Sequence, residues 1–360
     1  MKISDVTVYK VKPRWIFVKI STDEGIEGWG EMISGTKTET VVAGAYEIGN
    51  RLIGRNPFEI ERLFQEMHRS FFRGGPINGT IVSGLEMALW DIKGKAFNVP
   101  VYELLGGAAR DKIKVYSWIG GDRPSEVAEQ AQDRFDRGFT AVKMNATEEL
   151  HYIDSYQKVD EVVERVASIR ERFGDAMDIG VDFHGRVHKP MAKVLAKALE
   201  PFHPMFLEEV VLPENEEHFK EVADSVAVPL ATGERLYTRW QFKNLFKQGT
   251  VDIIQPDVAL CGGILETRKI AAMAEAYDMA VAPHAPYGPV ALAATLQVDS
   301  CTPNVFIQEQ SLGIHYNKGF DLLDFVKNKE VFQYKDGYVD LPSKPGLGLE
   351  MDEDKIKEIA

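Results

Sequence analysis

Between residues 114 and 310 the chain repeats one pattern eight times, a short apolar run followed by a segment of helical periodicity. The runs are KVYSWIG, TAVKMNA, DIGVDFH, MFLEEVV, PLATGER, VDIIQPD, AVAPHAP and VFIQEQ. They are centred near 116, 143, 181, 207, 231, 254, 282 and 307, mostly 23 to 28 residues apart with one longer gap of about 38. A strand with its return helix has this length, and eight such units predict a TIM-type (β/α) barrel, an α/β fold whose chemistry sits at the C-terminal ends of its strands. An open doubly wound sheet is the competing arrangement. Against it, no GxGxxG follows the first strand and no Walker motif occurs.

The sequence before the repeat has a different texture. Residues 2–10, 14–20 and 25–31 read as an antiparallel meander broken at Pro13 and at Asp23-Glu24-Gly25, and helical stretches follow at about 39–53, 58–72 and 80–97. Single cores stop growing at roughly 250–300 residues, so residues 1–113 are expected to form a smaller α+β capping domain. Residues 114–330 would be the barrel, with the tail 331–360 returning to the cap.

A net charge of −13 removes the electrostatic footprint that nucleic acid or anionic lipid requires. No run of 18 apolar residues occurs, and MKISDVTVYK alternates like a strand rather than a secretory signal, so a cytoplasmic protein with no membrane partner is expected. Cys261 and Cys301 are too few and too far apart for a disulfide framework or a zinc site. Barrels of this kind commonly assemble, so a homo-oligomer is expected.

Buried strands should not end in charge unless their ends do chemistry. Asp182, Glu208 and Glu234 end the third, fourth and fifth strands at separations of 26 and 26 residues. Adjacent strands lie ~4.8 Å apart, so three carboxylates at one height converge. Such a group is unfavourable without a cation, and all-oxygen ligation favours magnesium. In LEE, parity leaves open whether Glu208 or Glu209 points inward.

Histidines flank this triad. His184 lies two residues after Asp182, so on a strand the two share a face. His284 ends the seventh strand, across the barrel, and Asp257 in the neighbouring QPD is placed to hold one of its ring nitrogens and raise its basicity. Lys143 and Asn145 in KMN share a face of the second strand, and Glu309 in QEQ adds a carboxyl at the mouth. A divalent metal with a base on one side and an acid on the other suits proton abstraction beside a carboxylate, with the enediolate stabilised by the metal.

These residues, together with RWIFVKISTDEG, FFRGGP, ALWDIKGKAFNVPVYELLGG, PMAKVLAKALEP, MAEAYD, QEQSLGIHYNKG and KPGLGLE, resemble the enolase superfamily, mandelate racemase subgroup, over essentially the whole chain. Within it, the resemblance is to the sugar acid dehydratases, with D-galactonate the favoured substrate and another aldonate or an aldarate the alternative. It implies one Mg2+ on Asp182, Glu208 and Glu234, which selects Glu208 over Glu209. It also implies C2 proton removal by His284 with Asp257, loss of the 3-hydroxyl assisted by His184, and a hydrogen bond from Glu309 to the substrate. Lys143, Asn145, Arg14 and Trp15 are expected to bind the sugar acid. Subgroup relatives carry a KxK pair on the second strand where this chain has Lys143 and Asn145, which implies one-base elimination rather than racemisation. Val210, Ala285, Tyr287 and the loop Ser34-Gly35-Thr36-Lys37 depart from the dehydratase pattern and bear on the choice of sugar, as do the capping loops 34–38 and 71–78. A noncatalytic sugar-acid-binding homologue is the reading from a different class.

Overall fold

A computed structural model of the chain describes residues 1–33, 35–69, 74–121 and 126–360. Ser34 and residues 70–73, where parts of both predicted capping loops and the end of the 58–72 helix fall, lie outside the described residues. The chain opens on the antiparallel meander β1 (Ile3–Val11), β2 (Trp15–Thr22) and β3 (Glu27–Met32), paired in that order. Three helices follow, α1 (Thr38–Gly49), α2 (Ile60–His68) and α3 (Pro76–Phe97). Helix α3 starts with Pro76 at its first turn, where the missing N–H costs nothing, and ends on Asn98 in the left-handed conformation. It is buried nearly all round because β3 covers one side, the cap helices α1 and α2 pack against others, and the barrel helix Ile264–Glu275 adds a smaller contact.

The repeat follows in alternation: β4 (Lys112–Ile119), α4 (Val127–Asp136), β5 (Ala141–Asn145), α5 (Tyr156–Phe173), β6 (Asp178–Asp182), α6 (Lys189–Leu199), β7 (Phe206–Glu208) and α7 (Phe219–Ala223). It continues with β8 (Leu230–Thr232), α8 (Thr238–Gln248), β9 (Ile253–Ile254), α9 (Ile264–Glu275), β10 (Ala280–Val281), α10 (Pro289–Cys301) and β11 (Gln308–Gln310). These eight strands pair in parallel in the order β10-β9-β8-β7-β6-β5-β4-β11. The Val281 amide donates to Asn304 O at 2.9 Å and Phe306 N to Val281 O at 3.1 Å, which joins the two ends of the sheet. All eight apolar runs supply strands of the barrel. Of the tail 331–360, β12 (Tyr338–Asp340) pairs antiparallel with β4, while α11 (Glu353–Ile359) packs on β1.

Beneath the mouth, Tyr116, Ala141, Phe206, Ala231, Ile253, Ala282 and Ile307 cluster in the barrel interior, one side chain on or immediately beside each strand but β6. There the position is Gly180, and a Cβ on it would lie 2.8 Å from the Phe206 ring and 3.4 Å from the Lys143 stem. The bulky floor keeps side chains above it at the strand ends. No helix among the described residues is long and apolar enough to cross a membrane.

Candidate active site

Strands β6, β7 and β8 carry the acidic cluster. Asp182 and Glu208 are register partners, and Glu234 joins them from the turn three residues beyond Ala231, the partner of Glu208 on β8. One carboxylate oxygen of each lies within 4.8 Å of the others, and all three residues are buried. Burial and the charge of Glu208 push the Asp182 carboxyl well up. Burial and Glu209 push Glu234 up to about 8. Three buried carboxylates that resist ionising together are a donor set for a hard divalent cation.

Lys143, also buried, sits against this cluster. Its Nζ donates to both oxygens of Glu208 at 2.9 Å and lies 3.1 Å from Glu309 Oε1, and Gln255 Nε2 adds a 2.7 Å bond to Glu208 Oε2. Although burial alone would raise the Glu208 carboxyl, Lys143 and Gln255 outweigh it and hold the group below its usual value. Glu208 therefore points inward, while Glu209, in the left-handed backbone region, turns away to accept a bidentate pair from Arg235 at 2.6 and 2.8 Å.

On the β10 side, His284 Nδ1 lies 2.8 Å from Asp257 Oδ2, and Asp257 Oδ1 accepts from Ala259 N at 2.7 Å. The two residues also pair as a parallel bridge beyond the ends of β9 and β10. The other ring nitrogen, Nε2, lies 3.5 Å from Glu234 and 3.8 Å from Glu309. Burial works against a charged ring, but Glu234, Glu309 and Asp257 outweigh it and raise His284 to about 10.

His184 stands on the opposite side, four strands away in the sheet order. Shared strand parity does not place it there. Strand β6 ends at Asp182, and His184 adopts φ 53° with its amide donating to Asp182 Oδ1 at 2.6 Å. Burial, reinforced by Arg186, Arg235 and Lys143, lowers its pKa to about 4. Its buried Nδ1 has no hydrogen-bond partner among the described residues, an orphan that a bound polar ligand would satisfy.

Asp182, Glu234, Lys143, His184, His284, Glu309 and Arg14 all line one cavity of about 250 Å3, together with Trp118, Arg235, Pro286, Tyr287, Ile314 and Tyr316. Arg14 reaches it from the cap, bonding Pro286 O and, at 2.9 and 3.2 Å, Asn317 Oδ1. Trp15 does not line the cavity. As the first residue of β2 it faces the cap core and packs edge-on against Phe325 at 4.9 Å. Asn145 also lies outside the lining, buried at the end of β5 as the register partner of Asp182 and donating to Gly121 O at 3.2 Å. Sequence reasoning passed over Trp118, Arg235, Gln255 and Tyr316. Gln255 had a usable signal, since it precedes Asp257 by two in QPD.

Residues 126–355 match the family described as "Enolase C-terminal domain-like", and residues 1–106 match the "Mandelate racemase / muconate lactonizing enzyme, N-terminal domain". The chain belongs to the enolase superfamily. It is an enzyme of the mandelate racemase subgroup, 52% identical over 357 residues to the D-galactonate dehydratase of Variovorax paradoxus, covering 99% of this chain and 94% of that one. Among solved enolase-superfamily structures, one from Salmonella Typhimurium superposes with a TM-score of 0.88 at 31% identity over 99% of this chain and 98% of that one. An enolase from Agrobacterium radiobacter, described as a candidate galactarate dehydratase and bound to Na and L-malate, has a TM-score of 0.90 at 34% identity, covering 100% and 95%.

Proposed function

We propose that this enzyme is a sugar acid dehydratase that converts D-galactonate to 2-dehydro-3-deoxy-D-galactonate with Mg2+ on Asp182, Glu208 and Glu234. The observation that carries this reading is the placement of two histidines on opposite sides of the carboxylate cluster, one paired with Asp257 and the other with an orphan nitrogen. A divalent cation held there would supply positive charge for the enediolate and, by neutralising Glu234, remove the largest influence that keeps His284 charged.

His284 Nε2 takes the C2 proton, with Asp257 fixing the ring through Nδ1. Burial and the nearby cations hold His184 neutral in the free site. The negative charge of the bound substrate favours its protonation, and the imidazolium then delivers its proton to the 3-hydroxyl as the C3–O bond breaks, so the departing group is water. The enol then tautomerises, gaining a proton at C3. Glu309 hydrogen-bonds the substrate, and Lys143 screens Glu208 and Glu309 so that an anionic substrate is tolerated. Asn145 cannot exchange a proton, which leaves elimination with one base rather than racemisation.

Dehydration of an aldarate is a second reading that one observation favours. Arg14 is a largely buried cation on the cavity wall, and its hydrogen-bond acceptors among the described residues are a carbonyl and an amide, with no carboxylate. A distal carboxylate would complement it. Assay of an aldonate and aldarate panel for 2-keto-3-deoxy acids separates the two, and absence of turnover of every member with Mg2+ present refutes both.

A further inference from the structure

We propose that Glu31, a cap residue outside the cavity, is a positioning residue that fixes the backbone carrying His284. The inference rests on the reading of His284 as the base. Strand β10 ends at Val281 and α10 begins at Pro289, so His284 lies on a connection that the barrel ladder does not hold along its length. Side chains hold it instead. Ala285 N donates to Glu309 Oε2 at 2.8 Å, Arg14 donates to Pro286 O and the Ser311 hydroxyl donates to Tyr287 O. Glu31 closes the series, its carboxylate accepting from Gly288 N at 2.7 Å and Ala291 N at 2.9 Å.

This carboxylate is itself 1% exposed and sits near the end of β3, so its place is set by the cap sheet. Two of the four groups that clamp residues 285–291 therefore come from the other domain. Between them stands Tyr287, whose ring meets the His284 imidazole edge-on at 5.7 Å and 85°. A shift of the Tyr287–Gly288 backbone is thus passed to the imidazole by direct ring contact. Gly288 leaves the room this needs, since a Cβ there would lie 2.6 Å from Glu31 Oε1 and 2.7 Å from Trp15 Cδ1.

The same device recurs one βα unit earlier. Glu86 on α3 accepts from Ile264 N at 2.7 Å and Leu265 N at 3.0 Å, capping α9 just after the connection that carries Asp257. Both halves of the His–Asp pair thus lie on connections whose far ends are fixed by buried carboxylates of the cap. Anions at a helix N-terminus complement its unpaired N–H groups and dipole.

A buried carboxylate that ties the cap to the C-terminal tail, with no bond to the His284 connection, provides the contrast. Asp91 on α3 is equally buried and accepts from Trp29 N and Leu347 N, both at 2.9 Å, but touches nothing near His284. The test measures kcat and KM for D-galactonate dehydration with Mg2+ in Glu31→Gln, Glu31→Ala and Asp91→Asn, with thermal midpoints recorded for each. Glu31→Gln keeps an acceptor for one of the two N–H groups and is expected to lose about tenfold in kcat, and Glu31→Ala about 100-fold, each with KM within about twofold. Asp91→Asn is expected to lower the melting temperature and keep kcat. Wild-type kcat in Glu31→Gln, or a kcat loss no larger than in Asp91→Asn at equal loss of stability, overturns the proposal. If Glu31→Ala does not fold, the near-isosteric Gln variant decides. His284→Asn, assayed alongside for C2 hydrogen exchange in D2O, separates the two readings. Retained exchange there removes His284 as the base, whereas lost exchange beside unaffected Glu31 variants removes only the positioning role.

Discussion

Asp182 and His184 are two residues apart, yet they reach the cavity by different means. Asp182 is delivered by the strand itself, whereas His184 needs a left-handed turn. Alternation along a strand pointed to a pair that does line one cavity, but for a reason that ceases to apply at Asp182, because sequence parity does not reveal where a ladder stops. Glu208 and Glu209 show the same limit. Which one faces inward depends on Lys143 from β5 and Arg235 after β8, neither of which is local to LEE. Trp15, adjacent to a cavity residue, faces the opposite way. At this scale, replacing His284 with Asn should lower dehydration by at least about 10³-fold and abolish C2 exchange, both followed by NMR in D2O. His184→Asn should stop dehydration while leaving exchange measurable, and full dehydration in that variant would falsify its role as acid. Asp182→Asn should weaken Mg2+ binding, read by titration calorimetry in the absence of substrate.

At the scale of elements, the eight runs marked every barrel strand because a parallel sheet covered on both faces must be apolar throughout. The lengths were less legible. VDIIQPD and AVAPHAP each supply only two ladder residues, since their later positions leave the sheet to carry Asp257 and His284. The capping of α9 and α10 by Glu86 and Glu31 had no local signal, as each carboxylate is more than 170 positions from its amides. The floor of the barrel offers a test of its close fit. Gly180→Ala would press a methyl into the Phe206 ring and against the Lys143 stem, so unfolding in urea should show a loss of about 1–3 kcal/mol.

For the whole molecule, several buried carboxyls are held protonated more readily in the folded than in the unfolded chain. Burial raises Glu31 to about 7, Glu86 to about 8 and, with help from Glu209, Glu234 to about 8. A raised acid contributes stability that is full below its unfolded value near 4.5 and is lost as pH rises through the folded value. Thermal midpoints in EDTA should therefore fall as pH rises from about 5 to about 8. Because Mg2+ competes with protons for Glu234, the stabilisation by added Mg2+ should grow over the same interval, and differential scanning calorimetry in both conditions checks this.

One contact also sets an order of assembly. Tyr9 on β1 and Lys19 on β2 both bond Glu353 of α11, at 2.7 and 2.8 Å, across sequence separations of 344 and 334 residues. During synthesis the first sheet emerges from the ribosome long before the helix that completes it, and at roughly 5–20 residues per second that interval exceeds ten seconds. The part made first is thus among the last to be finished, and until residue 325 is made the Trp15 and Phe17 rings of β2 lack the Phe325 ring that packs edge-on against both.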